Sequence, residues 1–264
     1  MVSNENRFAI FLDIDGTLIH KSFDVPEDNL KAISQAREQG HLVFINTGRS
    51  WGNIPESLRE QLEVDGYICG NGAMISYNNE IYRREKLPVP LIKRLAEYFL
   101  EHPDYWCVFE GYNGNYIISN GLREPNFLQS VVNDMADVDE FCSKDEIQLF
   151  AMGPVPSADF VEMFSDELDF FPIGRYADCV LKGRNKANGI EKVIEITGIK
   201  KENTVAMGDS ANDLAMLEYA QIGVVMKNAP EEVQAKADYI TDFNYECGVA
   251  KAIRKLITER EAEK

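Results

Sequence analysis

Phe8-Ala9-Ile10-Phe11-Leu12-Asp13-Ile14-Asp15-Gly16-Thr17-Leu18 is the stretch whose reading decides the fold. It opens as an unbroken apolar run, which predicts a β-strand buried on both faces. It then ends on two aspartates, a glycine and a threonine. Ionised carboxylates beside an apolar interior are costly, and paired ones repel, so such an ending needs compensation. A bound cation at the C-terminal edge of the strand, with carboxylate chemistry next to it, supplies that compensation. An ordinary Asp-Gly turn is the plainer alternative, and the rest of the chain decides between them.

Bulk properties narrow the class. The chain has 264 residues, 45% hydrophobic and 27% charged, which is globular and leaves room for one large domain or two ordinary ones. A formal net charge of −17 argues against nucleic acid or an anionic membrane as partner. It leaves a small phosphorylated metabolite open, because a metal and a few local cations can reverse the field inside one pocket. Cys69, Cys107, Cys142, Cys179 and Cys247 form no CxxC pair, are odd in number and sit in apolar segments. They read as buried free thiols in a reducing compartment. Met1 to Arg7 lacks a basic leader region, and no stretch approaches the ~20 apolar residues of a membrane span. The expectation is a cytoplasmic protein with no obligate protein partner.

Outward from the opening strand, the chain alternates. Val25-Pro26 starts a helix that Gly40 ends, and His41 to Ile45 is a buried strand closing on Asn46-Thr47-Gly48-Arg49. A second helix is expected from Ser50 to about Leu62, then a strand at Gly66–Cys69 and a Gly70-Asn71-Gly72-Ala73 turn. This rhythm predicts a parallel sheet with crossover helices. It then breaks: a hairpin over Ala73–Arg83, a helix over Pro88–Leu100, and two strands flanking the turn at Asn113-Gly114. Asn126 to Glu146 reads as a polar, acidic stretch, followed by a strand over Ile147–Met152, a helix from Ser157 and strands near Phe170–Ile173 and Cys179–Leu181. The parallel rhythm resumes with a helix over Asn185–Ile196, strands over Thr204–Met207 and Ile222–Met226, and a closing helix from Tyr245 whose end, Glu259 to Lys264, is charged and solvated. The fold class is therefore α/β: a Rossmann-like, three-layer α/β/α core from residues 1–83 and 183–264, with an α+β module inserted at 84–182.

Four polar clusters follow or feed buried strands of the core: Asp13/Asp15, Thr47/Gly48/Arg49, Lys186 and Asp209/Asn212/Asp213. In an open parallel sheet, the C-terminal strand edges share one crevice. Carboxylates for Mg²⁺, a lysine for phosphate or carboxylate, and a hydroxyl with backbone N–H groups at a turn are the parts of a phosphoryl-transfer site. Each cluster alone has a plainer reading as a turn, a helix cap or a solvated lysine. His20, His41 and His102 lack ligand spacing, and a calcium loop is disfavoured because Asp24 stands where its closing glutamate belongs. In the inserted module Trp106, Phe109, Tyr112 and Tyr116 read as core before substrate wall, while Glu110, Arg175 and Tyr176 sit near strand ends that could reach a substrate.

In order and spacing, these motifs resemble the haloacid dehalogenase superfamily, and within it the Cof-type phosphatases with an inserted C2 cap. The family's DxDGT motif stands as Asp13 to Thr17, its second-motif threonine as Thr47 in Thr47-Gly48-Arg49, its lysine as Lys186 in preference to Lys182, and its GDxxND motif as Gly208 to Asp213. The resemblance implies a Mg²⁺-dependent phosphohydrolase of small phosphorylated metabolites, sugar phosphates foremost. Asp13 is then the nucleophile and Asp15 the general acid and base, with burial and like charge expected to make Asp15 hold its proton more tightly than Asp13. Mg²⁺ is held by Asp13, the main-chain carbonyl of Asp15, and Asp209, with Asp213 assisting through water or by orienting Lys186. Thr47, Gly48 and Asn212 contact the phosphoryl group. Two other functions fit the same residues: a phosphomutase on this fold, and a catalytically silent metabolite-binding protein.

Overall fold

Alternate residues of the opening strand face opposite sides of a central sheet, and that alternation sets the layers. The computed structural model describes the backbone of residues 7–262 and the side chains as far as Leu256. The charged end from Glu259 to Lys264 lies outside those side chains. Strand β1 (Ala9–Leu12) leads through α1 (Glu27–Glu38) to β2 (Leu42–Asn46), then α2 (Glu56–Gln61) to β3 (Gly66–Cys69) and a hairpin of β4 (Met74–Tyr77) and β5 (Glu80–Arg84). Ile10 and Leu12 pack with Val43, Ile45, Ile33 and Ile253 on one side, whereas Ala9 and Phe11 pack with Phe44, Ile190, Val193 and Met216 on the other. Each face is thus covered by helices, as a strand apolar at every position requires.

A second sheet follows. Its elements are α3 (Val89–Glu101), β6 (Trp106–Gly111), β7 (Asn115–Ile118), β8 (Gln129–Val131), α4 (Met135–Lys144), β9 (Ile147–Gly153), α5 (Ala158–Phe164), β10 (Leu168–Ile173) and β11 (Tyr176–Leu181). Its strands run in the order β10-β11-β9-β6-β7-β8. One face carries an aromatic-rich core of Phe99, Phe109, Phe141, Phe150, Phe160 and Phe164 under the helices. The chain then re-enters the first sheet through α6 (Lys186–Thr197), β12 (Thr204–Gly208), α7 (Leu214–Tyr219), β13 (Ile222–Val225), α8 (Glu231–Gln234), β14 (Tyr239–Ile240) and α9 (Gly248–Ala262). The first sheet has the order β14-β13-β12-β1-β2-β3-β4-β5. β1 lies parallel to both β12 and β2, so the chain leaves it in opposite directions and opens a crevice at its C-terminal end. The two segments joining the sheets are tied by Arg184, which donates to both carboxylate oxygens of Glu85 at 2.5 and 2.8 Å.

Three local expectations need correction, and one stretch left without elements gains them. The segment from Ser50 is a 3₁₀ turn over Trp51–Asn53 before α2 begins at Glu56. Pro55 has no N–H to continue a helix and holds Ile54 extended. The acidic stretch from Asn126 to Glu146 is ordered into β8 and α4. Asp134 caps that helix by accepting from the N–H groups of Ala136 and Asp137, while Val138 and Phe141 face the core. The closing helix starts at Gly248 because Cys247 adopts a positive φ of 58°. All five cysteines are free, but only Cys69, Cys107 and Cys179 are buried; Cys142 and Cys247 are half-exposed. No helix among the described residues is long and apolar enough to cross a membrane.

Candidate active site

The crevice is built by strand ends. β1 delivers Asp13, whose N–H donates to the Met207 carbonyl of β12 at 3.0 Å. Asp13 is only 4% exposed. Its partner arrives from the first turn of α6, where Asn185 and Asn188 form a reciprocal capping box and Asn46 of β2 donates to the Lys186 carbonyl at 3.1 Å. That anchoring sends the Lys186 side chain inward, 0% exposed, to Asp13 Oδ1 at 2.6 Å and Asp213 Oδ1 at 2.5 Å. Lys182, the competitor, instead pairs at the surface with Asp169 at 2.9 Å. Burial alone lowers a lysine's affinity for its proton, but Asp13 and then Asp213 outweigh it and hold Lys186 above the ordinary range.

Asp213 is fully committed. Its second oxygen accepts from the N–H groups of Asp209 and Ser210, both at 2.9 Å. This fixes the turn that presents Asp209, which is also held by Thr17 Oγ1 at 3.2 Å and Asn228 Nδ2 at 3.3 Å. Gly16, at φ +82°, must be glycine: a Cβ there would sit 2.1 Å from Asp209 Oδ2. Asp13, Asp209 and Asp213 each bring one carboxylate oxygen within 4.8 Å of the others. Crowding of acids has the expected electrostatic result. Burial, opposed by Lys186, raises Asp13 well above the usual carboxylate range. Burial and then Asp213 raise Asp209 to about 7. An oxygen-only donor set with this unneutralised charge fits Mg²⁺.

Two expectations about the phosphoryl end change. The N–H of Thr47 is not available to an anion, since it donates to the Ile68 carbonyl at 2.9 Å as part of the sheet. The Thr47 hydroxyl accepts from the Arg49 N–H at 3.2 Å, and Gly48 N–H is left with no hydrogen bond among the described residues. Asp15 is not buried: its side chain is 53% exposed. Arg49 grips it instead, donating from Nε at 2.6 Å and Nη2 at 2.7 Å while Nη1 donates to the Asn53 carbonyl. The burial expected at Asp15 falls on Asp13 instead, and what sets Asp15 apart is its fixed orientation, since a bidentate guanidinium orients a carboxylate.

The second sheet roofs the crevice and closes a cavity of about 660 Å³. On β6, Trp106, Val108 and Glu110 line it while Cys107 and Phe109 enter the core behind. On β11, Tyr176 and Asp178 line it while Ala177 and Cys179 turn away. Of the aromatics expected as core, Phe109 is core and Tyr116 packs against it, Tyr112 packs beside Trp51, and Trp106 is wall. Arg175 is exposed and takes no part in the lining. The roof holds the loop after β2 by three side-chain contacts. Glu110 accepts from Ser50 N–H at 3.2 Å, Gln148 accepts from Trp51 N–H at 3.1 Å, and Asn115 donates to the Gly52 carbonyl at 3.3 Å. Burial and then Glu110 push Asp178 up to about 7, and burial raises Glu110 as well.

Asn228, Asp178, Gln148 and the role of Arg49 were not predicted. Asn228 lies just past β13, so the rule that polar residues after buried core strands converge could have found it. The roof residues required knowing which face of the second sheet meets the first.

This arrangement defines a capped α/β hydrolase. The profile of the haloacid dehalogenase-like hydrolases matches residues 10–253, and the chain belongs to that family. Putative phosphatase YkrA of Bacillus subtilis is 31% identical, covering 94% of this chain and 96% of its own. The 5-amino-6-(5-phospho-D-ribitylamino)uracil phosphatase YcsE of the same organism is 32% identical, covering 94% and 95%. Among solved structures, the subclass IIB sugar phosphatase BT4131 superposes with a TM-score of 0.76 at 30% identity, covering 94% of this chain and 98% of that one. BT1666 from Bacteroides thetaiotaomicron superposes at 0.80 with 25% identity, covering 95% of each. Within the family, then, this chain is a phosphatase, acting on phosphorylated substrates.

Proposed function

We propose that the chain is a Mg²⁺-dependent phosphatase of small phosphorylated metabolites, sugar phosphates foremost, working through an aspartyl-phosphate on Asp13. The observation that carries this is the meeting of Asp13, Lys186, Asp209 and Asp213 at one strand edge. Asp13 and Asp209, with the Asp15 carbonyl, would hold Mg²⁺; Asp213 is engaged by Lys186 and two N–H groups and supports from behind. When bound, the metal neutralises charge on the phosphoryl oxygens.

The residues divide the remaining work. An Asp13 oxygen attacks phosphorus, and the bond from phosphorus to the substrate oxygen breaks. Asp15 gives a proton to that leaving oxygen; since both of its oxygens accept from Arg49 in the resting site, the step requires one of them to leave the guanidinium and carry that proton. Water then attacks phosphorus, Asp15 takes the water's proton, and the bond to Asp13 breaks, restoring the carboxylate. Lys186 balances charge at Asp13, while Gly48 N–H and Asn212 face the phosphoryl group. The inserted unit, residues 84–182, acts as the roof that excludes water and reads the leaving group.

The test is hydrolysis of p-nitrophenyl phosphate. Chelation abolishes it and Mg²⁺ restores it; full activity after exhaustive chelation contradicts the proposal. Phosphate release without any bisphosphate activator separates the enzyme from a phosphomutase. The metal site also has a pH signature. The folded Asp209 titrates at about 7, above the ~3.9 of an unfolded aspartate, so in metal-free protein its contribution to stability is present below that lower value and lost as pH rises through the higher one. Mg²⁺ needs the carboxylate form, so the rise in melting temperature it confers grows from about pH 5 to about pH 8. A Mg²⁺ shift that is flat across that interval contradicts this ligand assignment.

A further inference from the structure

We propose that Glu110 and Asp178 read the leaving group, selecting phosphomonoesters whose alcohol bears hydroxyl or amino groups and no second anionic group. The inference rests on the phosphatase reading above and adds the substrate class. Both acids come from cavity-facing positions of the roof, on β6 and β11, and both line the chamber that also holds Asp15. Glu110 is buried, with one oxygen on Ser50 N–H. Asp178 has no hydrogen bond or ion pair among the described residues, so its carboxyl faces the chamber as an open acceptor. A Cβ on Gly48 would lie 3.0 Å from Asp178 Oδ2 and 3.3 Å from Asn212 Nδ2. The acid therefore stands next to the phosphoryl end, where the first atoms of the alcohol must lie.

A second observation points to the same place. Asn71, 1% exposed and at φ 51°, carries an amide nitrogen with no hydrogen-bond partner among the described residues, 3.5 Å from where that Gly48 Cβ would lie. Buried polar groups left open in a folded protein call for an explanation; here Asp178 as acceptor and Asn212 with the Gly48 N–H as donors line the chamber around one glycine, and Asn71 stands behind it. A hydroxyl, which both donates and accepts, matches such a set; an ammonium matches the acids. A carboxylate or second phosphate does not once these acids are ionised, above about pH 8, because it would meet Asp178, Glu110 and Asp15 together. Arg49 cannot offset them, since its guanidinium is engaged with Asp15 and Asn53. Arg123 is the remaining cationic lining residue, lying over the Trp106 ring at 4.5 Å.

Glucosamine 6-phosphate, glucose 6-phosphate and 6-phosphogluconate form a matched series of cationic, neutral and anionic leaving groups. Their binding is measured by calorimetry at about pH 8 on Asp13→Asn protein, where nothing need be consumed, at a Mg²⁺ concentration shown beforehand by titration to fill its weakened metal site. The acidic roof predicts that 6-phosphogluconate binds at least about tenfold more weakly than the other two. Adding Asp178→Asn or Glu110→Gln narrows that gap to within about threefold, largely by strengthening 6-phosphogluconate. The ratio is read within each protein, so a general loss of affinity cancels, and Asp178→Asn stands if the Ser50 contact makes Glu110→Gln unstable. Equal binding of all three, binding of none, a preference for 6-phosphogluconate (which would assign the wall to Arg123), or a gap unchanged in Asp178→Asn each overturns the inference. Failure of the phosphatase reading shows elsewhere, as wild-type p-nitrophenyl phosphate turnover that is absent or indifferent to Asp13.

Discussion

Asp13→Asn protein hydrolyses p-nitrophenyl phosphate at least about a thousandfold more slowly than wild type, with its fold retained. The amide keeps the shape of the carboxylate and can still meet Lys186, so the core need not rearrange. It removes the negative oxygen that attacks phosphorus. It also removes one of the crowded buried acids, and the relief of their mutual repulsion offsets the weakened contact with Lys186, so thermal stability without metal falls little. That pairing of outcomes is diagnostic: a structural aspartate would cost stability, and a nucleophile costs turnover. Steady-state kinetics and a melting curve on the same preparation decide it. Retention of more than about a tenth of the activity removes Asp13 as nucleophile.

Lys186→Met has its largest effect on stability. The side chain is wholly buried and is the cation shared by Asp13 and Asp213. Breaking a buried ion pair from one side leaves uncompensated charge, which costs about 3–5 kcal/mol. Here two carboxylates lose their partner at once, with Asp209 within reach of both. The loss is read as a lowered urea midpoint at neutral pH without metal. The same reasoning sets its dependence on conditions. The orphaned acids regain stability by taking up protons, so the deficit shrinks as pH falls; Mg²⁺ shrinks it by supplying positive charge. A deficit under about 1 kcal/mol, or one indifferent to both pH and Mg²⁺, means that Lys186 does not compensate these acids.

The motif residues were legible because they obey a local rule. A strand with no polar face must lie between two helical layers, and its chemistry can sit only at its end. Asp13, Thr47 and Asp209 all follow from that, and Lys186 from its place at the start of the helix feeding β12. Two local departures from the outline carry their own signals in the sequence. Pro55 breaks its helix by the ordinary rule, and Asp134 with Val138 and Phe141 marks a capped amphipathic helix inside a stretch dominated by acid. Other features depended on contacts distant in sequence. That Asp15 is open and gripped by Arg49, that Thr47 uses its N–H within the sheet, and that Trp106 is wall while Phe109 is core are set by how the two sheets face each other. The alternation along β6 and β11 shows which residues share a face, but it does not show which face meets the crevice.

The central claim is that the phosphoryl group passes through the Asp13 carboxylate. The most direct measurement is rapid acid quenching of the Mg²⁺-loaded enzyme during turnover of ³²P-labelled p-nitrophenyl phosphate, followed by peptide mapping. The account predicts label on the peptide containing Asp13, released by hydroxylamine as an acyl phosphate is, and absent from Asp13→Asn. Label on another residue, or undiminished phosphate release by Asp13→Asn, would contradict it.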